Sequence, residues 1–363
     1  MPNILGNKVT LTLFGESHGE YIGGTMIGVP AGIKIDDEYI AKQLIKRRPQ
    51  GAFETSRIEN DDYSFISGVL NGYTTGAPLT VLIRNCNTKS SDYNSDVARP
   101  SHADFVAKVK YDGFNDYRGG GYFSGRLTAV IVLFGAILQK ELEEKLNIKI
   151  GAHIKSIYDI EDRTFDNVVD DLSVLDLKKY PTLLDIEDKI EDRLAKIKKE
   201  EDSVGGTIEC AITNLPVGVG EPWFINLEGE IAKAMFAIPA IKGIEFGLGF
   251  KFKDKKGSEV NDYFRYSDGK VVTMTNNNGG INGGISNGMP VIFNVVIKPT
   301  PSIGKEQQTI DMKNKENCNY KIVGRHDPCI VKRANVVVSS MAALVIFDML
   351  SLTYGNDFLN KGK

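Results

Sequence analysis

The chain has 363 residues, 42% of them hydrophobic and 25% charged, and its 44 Lys and Arg against 47 Asp and Glu give a net charge of −3. This composition is typical of a globular protein; it excludes disordered and fibrous classes and argues against broad nucleic-acid binding. Four cysteines without a CxxC pair favour a reduced, cytosolic chain over a disulfide scaffold or a zinc site.

Hydrophobic periodicity predicts both strands and helices. The first strand, 9–14, alternates apolar and polar residues, and a helix then runs from Asp36 or Asp37 to Arg48, where Pro49 stops it. The later elements are a helix at 128–146, a helix at 187–200, strands at 207–215 and 289–298, and a helix at 334–350.

The domain organisation follows from how these elements succeed one another. They do not alternate as regular βαβ units, and no Pro- or Ser-rich hinge divides the chain. We therefore predict a single large α+β domain over residues 1–363. The segment 156–202, rich in Asp, Lys and Ile, is expected to be a peripheral helical segment or a linker.

No membrane segment and no secretory leader are expected. The apolar stretch 128–138, taken as the longest, is too short to span a bilayer. Residues 1–7 lack a basic region followed by an apolar one. These features predict a cytoplasmic protein without membrane contacts.

Glycine is frequent and clustered. The 37 glycines are about a tenth of the chain, against an average near 7%, and clusters such as 119–121 and 283–284 mark backbone that bends sharply or lies against a ligand. The chain contains no GxGxxG fingerprint, no P-loop and no HExxH motif. We therefore predict no Rossmann dinucleotide site and no metal site.

Three of the four histidines lie in polar segments punctuated by Gly or Pro. His18 and His102 each follow a serine, and His326 lies between Arg325 and Asp327. Histidine changes charge most readily near neutral pH. Any one of these could be a surface histidine, but three together favour an active site.

Acyl transfer is a weaker alternative. Residues 15–19 match the GxSxG string of hydrolases and follow a predicted strand. A nucleophile elbow must then open a helix, whereas residues 20–30 are rich in glycine and poor in helix formers. The chain order Ser17, His102, Asp327 also differs from the hydrolase order.

Several arginines lie close to Gly, Pro or His. Guanidinium groups bind carboxylates and phosphates bidentately. Arg47 and Arg48 could instead interact with the last carbonyls of their helix. Arg118 and Arg126 flank a glycine-rich segment just before a buried helix, which fits an anion held at a helix N-terminus.

Nine short segments together form a recognisable pattern. They are GESHG (15–19), RRP (47–49), RPSHAD (99–104), DYRGGG (116–121), DSVGG (202–206), GSEVND (257–262), GINGGISNG (280–288), KPTPS (298–302) and GRHDPC (324–329). Each is weak alone, but nine in this order make the chain resemble the chorismate synthase family from about residue 14 to residue 350.

The resemblance implies a fold, a reaction and partners. The family has a β-α-β sandwich architecture and is typically a homotetramer. It converts 5-enolpyruvylshikimate 3-phosphate into chorismate and inorganic phosphate by a 1,4-anti elimination. The reaction needs reduced FMN yet has no net redox change. Since no dinucleotide motif is present, we expect NADPH to act only indirectly, through a separate flavin reductase.

The resemblance also implies residue roles. His18 corresponds to the histidine that manages the proton near flavin N1, His102 to the one that protonates or holds the leaving phosphate, and Asp327 to the aspartate that helps to deprotonate flavin N5. The expected substrate contacts are Ser17, Arg47, Arg48, Arg118, Arg126 and Arg325. The expected cofactor contacts are Tyr122, Phe123, Ser124, Gly283, Lys298, Thr300, Ser302 and Arg325.

Two departures from the family pattern stand out. After the glycine triplet the family commonly has Arg-Ser-Ser-Ala-Arg-Glu-Thr, whereas this chain has Tyr-Phe-Ser-Gly-Arg-Leu-Thr at 122–128. Phe53 stands about where many members have an arginine, and Arg57 is close enough to replace it. These changes keep a non-catalytic FMN-binding paralogue open as a rival. A second rival, within enzymes, is a flavin-dependent oxidoreductase acting on another anionic ring.

Overall fold

Two five-stranded antiparallel sheets lie on either side of a layer of helices. The computed structural model describes residues 3–51, 53–54, 59–87, 95–165, 172–322, 327–355 and 358–359. The first sheet has the order β1 (Ile4–Leu5), β2 (Thr10–Gly15), β3 (Tyr21–Ile27), β7 (Leu79–Arg84), β4 (Tyr63–Ser67). The second has the order β11 (Ile241–Phe246), β16 (Val291–Ile297), β10 (Gly206–Thr213), β8 (Lys149–Ile157), β9 (Ile160–Glu161).

The remaining strands pair as short hairpins, and the helices come from all parts of the chain. The hairpins are β5 (Val69–Leu70) with β6 (Tyr73–Thr74), β12 (Phe264–Ser267) with β13 (Lys270–Thr273), β14 (Ile281–Asn282) with β15 (Ile285–Ser286), and β17 (Gln307–Asp311) with β18 (Glu316–Tyr320). The helices are α1 (Asp37–Arg47), α2 (Asp104–Lys110), α3 (Thr128–Leu146), α4 (Glu187–Lys199), α5 (Leu227–Ala237), α6 (Gly257–Val260) and α7 (Val331–Tyr354).

Helices α3 and α7 form the centre of the helix layer. Helix α3 contacts β3 on one side and β8 on the other, and α7 packs against α3, β8 and β10. A Cβ built at Gly135 of α3 would lie 2.4 Å from Cβ of Ser340 in α7. The two helices therefore cross at a separation that only glycine permits.

Local signals place the ends of the helices that border the site. The carboxylate of Asp36 accepts the amide of Tyr39 at 2.9 Å, which caps the N-terminus of α1. Since Pro49 follows shortly after its last turn, α1 ends with Arg47 and Arg48 at its C-terminus. Helix α3 ends at Asn147, which is in the left-handed conformation at φ 55.

The structure confirms the predicted elements and the α+β class. Strand 9–14 is β2, the helix ending near Arg48 is α1, and helix 128–146 is α3. The helix and the two strands predicted at 187–200, 207–215 and 289–298 are α4, β10 and β16. Helix α7 extends the predicted 334–350 at both ends. Two sheets around a helix layer form the β-α-β sandwich that the family resemblance implied.

The expectation about apolar segments was wrong in one respect. Within the described part of the chain, Val331–Tyr354 is long and apolar enough to cross a membrane, so 128–138 is not the longest such segment. In the structure 89% of its most apolar window is buried against the rest of the protein. This helix therefore has the burial of a core helix.

One main hydrophobic cluster extends from Val9 to Phe358 and includes residues of both sheets and of the helices between them. Within the segment 156–202, α4 buries Ile190, Leu194 and Ile197 in this same cluster. The division into a single domain over 1–363 with a peripheral helical segment around 156–202 stays a prediction.

Candidate active site

A cleft of about 440 Å³ lies where the C-terminus of α1, the loop before α2, the segment before α3, the end of β16 and the start of α7 meet. One part of its lining carries basic side chains: Arg47, Arg48, Arg99, His102, Arg126, Lys298 and Arg333. Another part is apolar: Phe123, Ile238, Pro239, Ala240, Ile330, Ala334 and Val337. The cleft's acidic lining is Glu59 and Asp327.

A buried carboxylate organises three of the arginines. Asp61, whose side chain is fully buried, accepts Nη2 of Arg47 at 3.3 Å and Nε of Arg48 at 3.2 Å. Nη1 of Arg126 donates to the same carboxylate. Three guanidinium groups on one carboxylate leave an excess of positive charge at the cleft wall.

Charge and burial set the pKa values in this cluster. Burial alone would raise the pKa of Asp61, but the neighbouring guanidinium groups, Arg47 first, hold it below its ordinary value. Burial, with repulsion from Arg126 and Arg333, lowers the pKa of Arg47 to about 10. Both groups are therefore charged at neutral pH.

The glycine segment lies between two histidines. Gly119 and Gly120 have φ of +59 and +87, and Gly119 and His102 both line the cleft. A Cβ on Gly119 would lie 2.1 Å from Cε1 of His18, and one on Gly120 would lie 3.4 Å from Cε1 of His102. The absence of side chains here lets both imidazole rings lie against the backbone.

Ser17 and His18 form a local pair behind Gly119. Ser17 Oγ lies 3.0 Å from Nδ1 of His18 and is also within bonding distance of the carbonyl of Gly119, at 3.2 Å. Both residues are buried, although His18 retains 8% exposure. The segment between β2 and β3 is a hairpin connection without a helix, so the GxSxG string does not form a nucleophile elbow.

The start of α7 ties the acidic side of the cleft to α1. Arg333 donates through Nη1 to Asp327 Oδ2 at 2.8 Å and through Nε to the carbonyl of Arg47 at 3.0 Å. Thr300 Oγ1 donates to the carbonyl of Asp327 at 2.8 Å. Asp327 is thus held from both sides, by α7 and by the segment after β16.

Lys298 joins the second sheet to the loop that carries His102. Its Nζ donates to the carbonyl of Ser101 at 2.8 Å. Burial, with repulsion from Lys242, lowers its pKa from the ordinary value. A direct contact therefore joins the segment that precedes α2 to the segment that follows β16 at the cleft.

The structure brings most of the predicted site residues together. Ser17 and His18 lie behind Gly119. The predicted residues that line the cleft are Arg47, Arg48, His102, Phe123, Ser124, Arg126, Lys298, Thr300, Ser302 and Asp327.

Besides Ser17 and His18, three predicted residues lie outside the cleft lining. Arg118 makes a bidentate pair with Asp116 at 2.8 Å, and Tyr122 Oη donates to the carbonyl of Leu13 at 3.1 Å. Gly283 lies in the β14–β15 connection. Their roles stay predictions, and Arg325, like Arg57, lies outside the described residues.

Sequence reasoning missed the groups that hold the cationic side chains. Asp61 lies in the acidic run 59–62, where nothing distinguished it from its neighbour Asp62. Asp104 could have been found, because it lies two residues after His102 in a quoted motif and binds it at 2.7 Å. Arg333 lies in the first, polar turn of an otherwise apolar helix, and no sequence motif indicated that it belongs to the site.

Comparison with known proteins gives a consistent result. A family model described as chorismate synthase matches residues 9–351. The chorismate synthase of Pyrococcus abyssi is 44% identical over 351 residues, covering 95% of this chain and 96% of the relative. That of Dehalococcoides mccartyi strain 195 is 43% identical over 359 residues, covering 96% of each. A crystal structure of chorismate synthase matches with a TM-score of 0.77 at 28% identity, covering 98% of this chain and 96% of that one.

The family model and the relatives match nearly the whole chain, and they define the class of protein: an enzyme, a carbon–oxygen lyase that eliminates phosphate. Its place is in the shikimate pathway. The chain belongs to the chorismate synthase family. The resemblance drawn from the nine sequence segments is therefore confirmed.

Proposed function

We propose that the cleft binds 5-enolpyruvylshikimate 3-phosphate next to reduced FMN and eliminates phosphate in the 1,4-anti sense to give chorismate. One observation carries the proposal: a single buried carboxylate, Asp61, holds three guanidinium groups at the wall of a cleft that also contains His102. The substrate carries a phosphate and two carboxylates, and the reduced cofactor adds further negative charge. Bringing these groups together out of water requires cations that stay protonated.

Arg47 offers a specific contact for the anionic substrate. Its Nε is buried and donates to no acceptor among the described residues. A buried donor without an acceptor costs free energy, which an anionic ligand in the cleft would recover. The neighbouring Arg48 and Arg126 supply further positive charge on the same side.

The residues present fit a flavin. The apolar lining around 238–240 suits the faces of a flat ring system, and the polar residues Lys298, Thr300 and Ser302 suit its hydrogen-bonding edges and phosphate. These are the residues that would hold FMN. When bound, reduced FMN supplies electron density as the C–O bond to phosphate breaks and takes up the ring hydrogen, with no net redox change.

The chain's own residues manage protons. We assign His102 to the leaving phosphate, since it lies in the cleft among arginines. His18, paired with Ser17, would hold the proton near flavin N1. Asp327, an ionisable carboxylate kept in place by Arg333, would accept the proton from flavin N5.

Further properties belong to the same proposal. We infer a cytoplasmic homotetramer that takes reduced FMN from a separate NADPH-dependent reductase and contacts neither nucleic acid nor membrane. The exposed side chains of Trp223 and Phe224, at 80% and 96% exposure, support contacts between subunits. The four cysteines are free in the structure, as in a reducing compartment.

The test is phosphate release under anaerobic conditions with chemically reduced FMN, with and without NADPH. We expect chorismate and phosphate in equal amounts and no requirement for NADPH. Consumption of NADPH in step with turnover would instead indicate an oxidoreductase, and absence of phosphate release would indicate a non-catalytic paralogue. The variant His18→Ala should lower turnover about 10²- to 10⁴-fold.

A further inference from the structure

Two side chains of the loop before α2, Arg99 and His102, and the first residue of α2, Asp104, form a chain of hydrogen bonds that ends at the cleft. Nδ1 of His102 lies 2.7 Å from Oδ1 of Asp104. Arg99 binds the same carboxylate through Nε and Nη2, each at 2.8 Å, and through its backbone amide at 3.0 Å. The side chains of Arg99 and Asp104 are both 14% exposed, so the contact is largely shielded from water.

The loop that carries Arg99 and His102 is fixed at several points. The amide of His102 donates to the carbonyl of Arg99 at 3.2 Å, and Lys298 binds the carbonyl of Ser101. Ser101 itself has a φ of 56, a strained value for a serine. Gly120 packs against the imidazole. The ring therefore has little freedom to reorient.

The ionic state of Asp104 decides which nitrogen of His102 carries hydrogen. Burial raises the pKa of Asp104, but hydrogen bonds from Arg99 and His102 lower it more, far below the ordinary value. A carboxylate can only accept a hydrogen bond, so Nδ1 of His102 must be the donor. No hydrogen bond to Nε2 is found among the described residues.

We propose that Asp104, clamped by Arg99, is a positioning residue that fixes His102 with hydrogen on Nδ1, so that Nε2 alone exchanges a proton with the departing phosphate. This inference rests on the proposed role of His102. As the C–O bond breaks, its electron pair goes to the phosphate oxygen, the Nε2–H bond of the imidazolium breaks and an O–H bond forms. His102 becomes neutral with Nδ1–H still bonded to Asp104, and solvent later returns a proton to Nε2.

The charges around His102 are consistent with this assignment. Asp104 is the carboxylate bonded to the ring, and its bidentate pairing with Arg99 keeps it from taking the proton itself. Lys298 approaches the same loop from the second sheet. The other charged residues that line the cleft are Arg47, Arg48, Glu59, Arg126, Asp327 and Arg333.

The experiment is a double-mutant cycle on anaerobic phosphate release with chemically reduced FMN. Asp104→Asn should lower kcat about 10²- to 10⁴-fold with little change in KM, because the amide can donate and so favours the wrong tautomer. In a His102→Ala background the same substitution should have almost no further effect. Asp104→Glu should recover part of the activity, since it restores an acceptor.

A matched control is Asp112→Asn, just after the C-terminus of the same helix, which should leave kcat unchanged. Should Asp104→Asn lower kcat equally in both backgrounds, or raise KM alone, the positioning role is overturned. Unchanged activity of His102→Ala would instead overturn the proposed role of the histidine itself. If Asp104→Asn is poorly folded by thermal unfolding, Arg99→Gln takes its place in the cycle under the same criteria.

Discussion

Two buried ionic clusters among the described residues have opposite charge arrangements. At the cleft, one carboxylate, Asp61, faces three guanidinium groups. In the second sheet, one imidazole, His153, lies between two carboxylates, with Nδ1 3.0 Å from Asp162 and Nε2 2.8 Å from Glu209. The first cluster has surplus cations and borders a cleft; the second has surplus anions and is closed.

Backbone amides complete the second cluster. Asp162 accepts the amides of Leu183 and Leu184, and Glu209 accepts the amide of Phe165 at 2.7 Å. At the cleft, in contrast, a guanidinium nitrogen of Arg47 is left without an acceptor among the described residues. Burial is similar in both clusters; the difference is whether the hydrogen bonds are complete. The closed cluster has its hydrogen bonds satisfied within the protein, whereas the incomplete one is where the proposed function places an anionic ligand.

The largest effect is expected for Asp61→Asn. Removing the buried charge leaves Arg47 and Arg126 to repel each other, so we expect a loss of about 3–5 kcal/mol in unfolding free energy. Substrate KM should also rise as the guanidinium groups lose their orientation. Urea unfolding and phosphate-release kinetics measure both effects. The control is the exposed neighbour, Asp62→Asn, which should change neither; equal effects of the two substitutions would contradict the role of Asp61.

The closed cluster predicts a pH-dependent stability. Burial lowers the pKa of His153, but hydrogen bonds to Asp162 and Glu209 raise it more, so the net pKa lies above 6.5. The stabilisation is therefore complete below pH 6.5 and is lost as pH rises through the higher folded pKa. We expect His153→Gln to cost about 1.5–3 kcal/mol at the lower pH.

The measurement for this second prediction is urea unfolding of wild type and His153→Gln across neutral and alkaline pH. The difference between them should shrink as pH rises. On the acid side, the lowered pKa of Asp162 means that its contribution is lost as pH falls through that folded value. A difference independent of pH would show that His153 is not charged in the folded protein, and phosphate release should be unaffected at neutral pH.

The smallest expected effect on stability comes from Gly119→Ala. A methyl group there meets the ring of His18 and has to adopt a left-handed φ, so we expect about 1–2 kcal/mol of destabilisation. Displacement of the histidine should lower kcat about 10²-fold. Gly72→Ala is the matched control: its φ is +77 and no atom lies within 4 Å of the added carbon, so it should share the strain but retain kcat. Equal kcat in the two variants would contradict a role for the His18 position.

Local signals explain what the sequence could predict. The predicted bounds of helix α3 match the observed ones, because an apolar first half continues into a second half of strong helix formers. The predicted helix 334–350 begins too late, because the first turn of α7 contains the charged residues Lys332 and Arg333, which interrupt the apolar pattern. These residues pair with Glu54 and Asp327 in the structure. The order of strands in the two sheets depends on contacts between distant segments, and periodicity carries no information about them.

For the site too, contacts between sequence neighbours can be predicted and contacts between distant segments cannot. Ser17 and His18 are neighbours in sequence, and their pairing is visible in a short motif. The grouping of Asp61 with Arg126 joins residues 65 positions apart, and only the fold brings them together. The family resemblance gave roles to site residues that hydrophobic periodicity could not identify. It did not indicate which carboxylates bind the arginines and His102.

The hydrogen bond from Arg333 to the carbonyl of Arg47 spans 286 positions of the sequence. During synthesis the first sheet leaves the ribosome long before α7 does. A nascent chain thus carries its cationic residues without the helix that completes their enclosure. The contact between α1 and α7 can therefore form only after α7 has been synthesised.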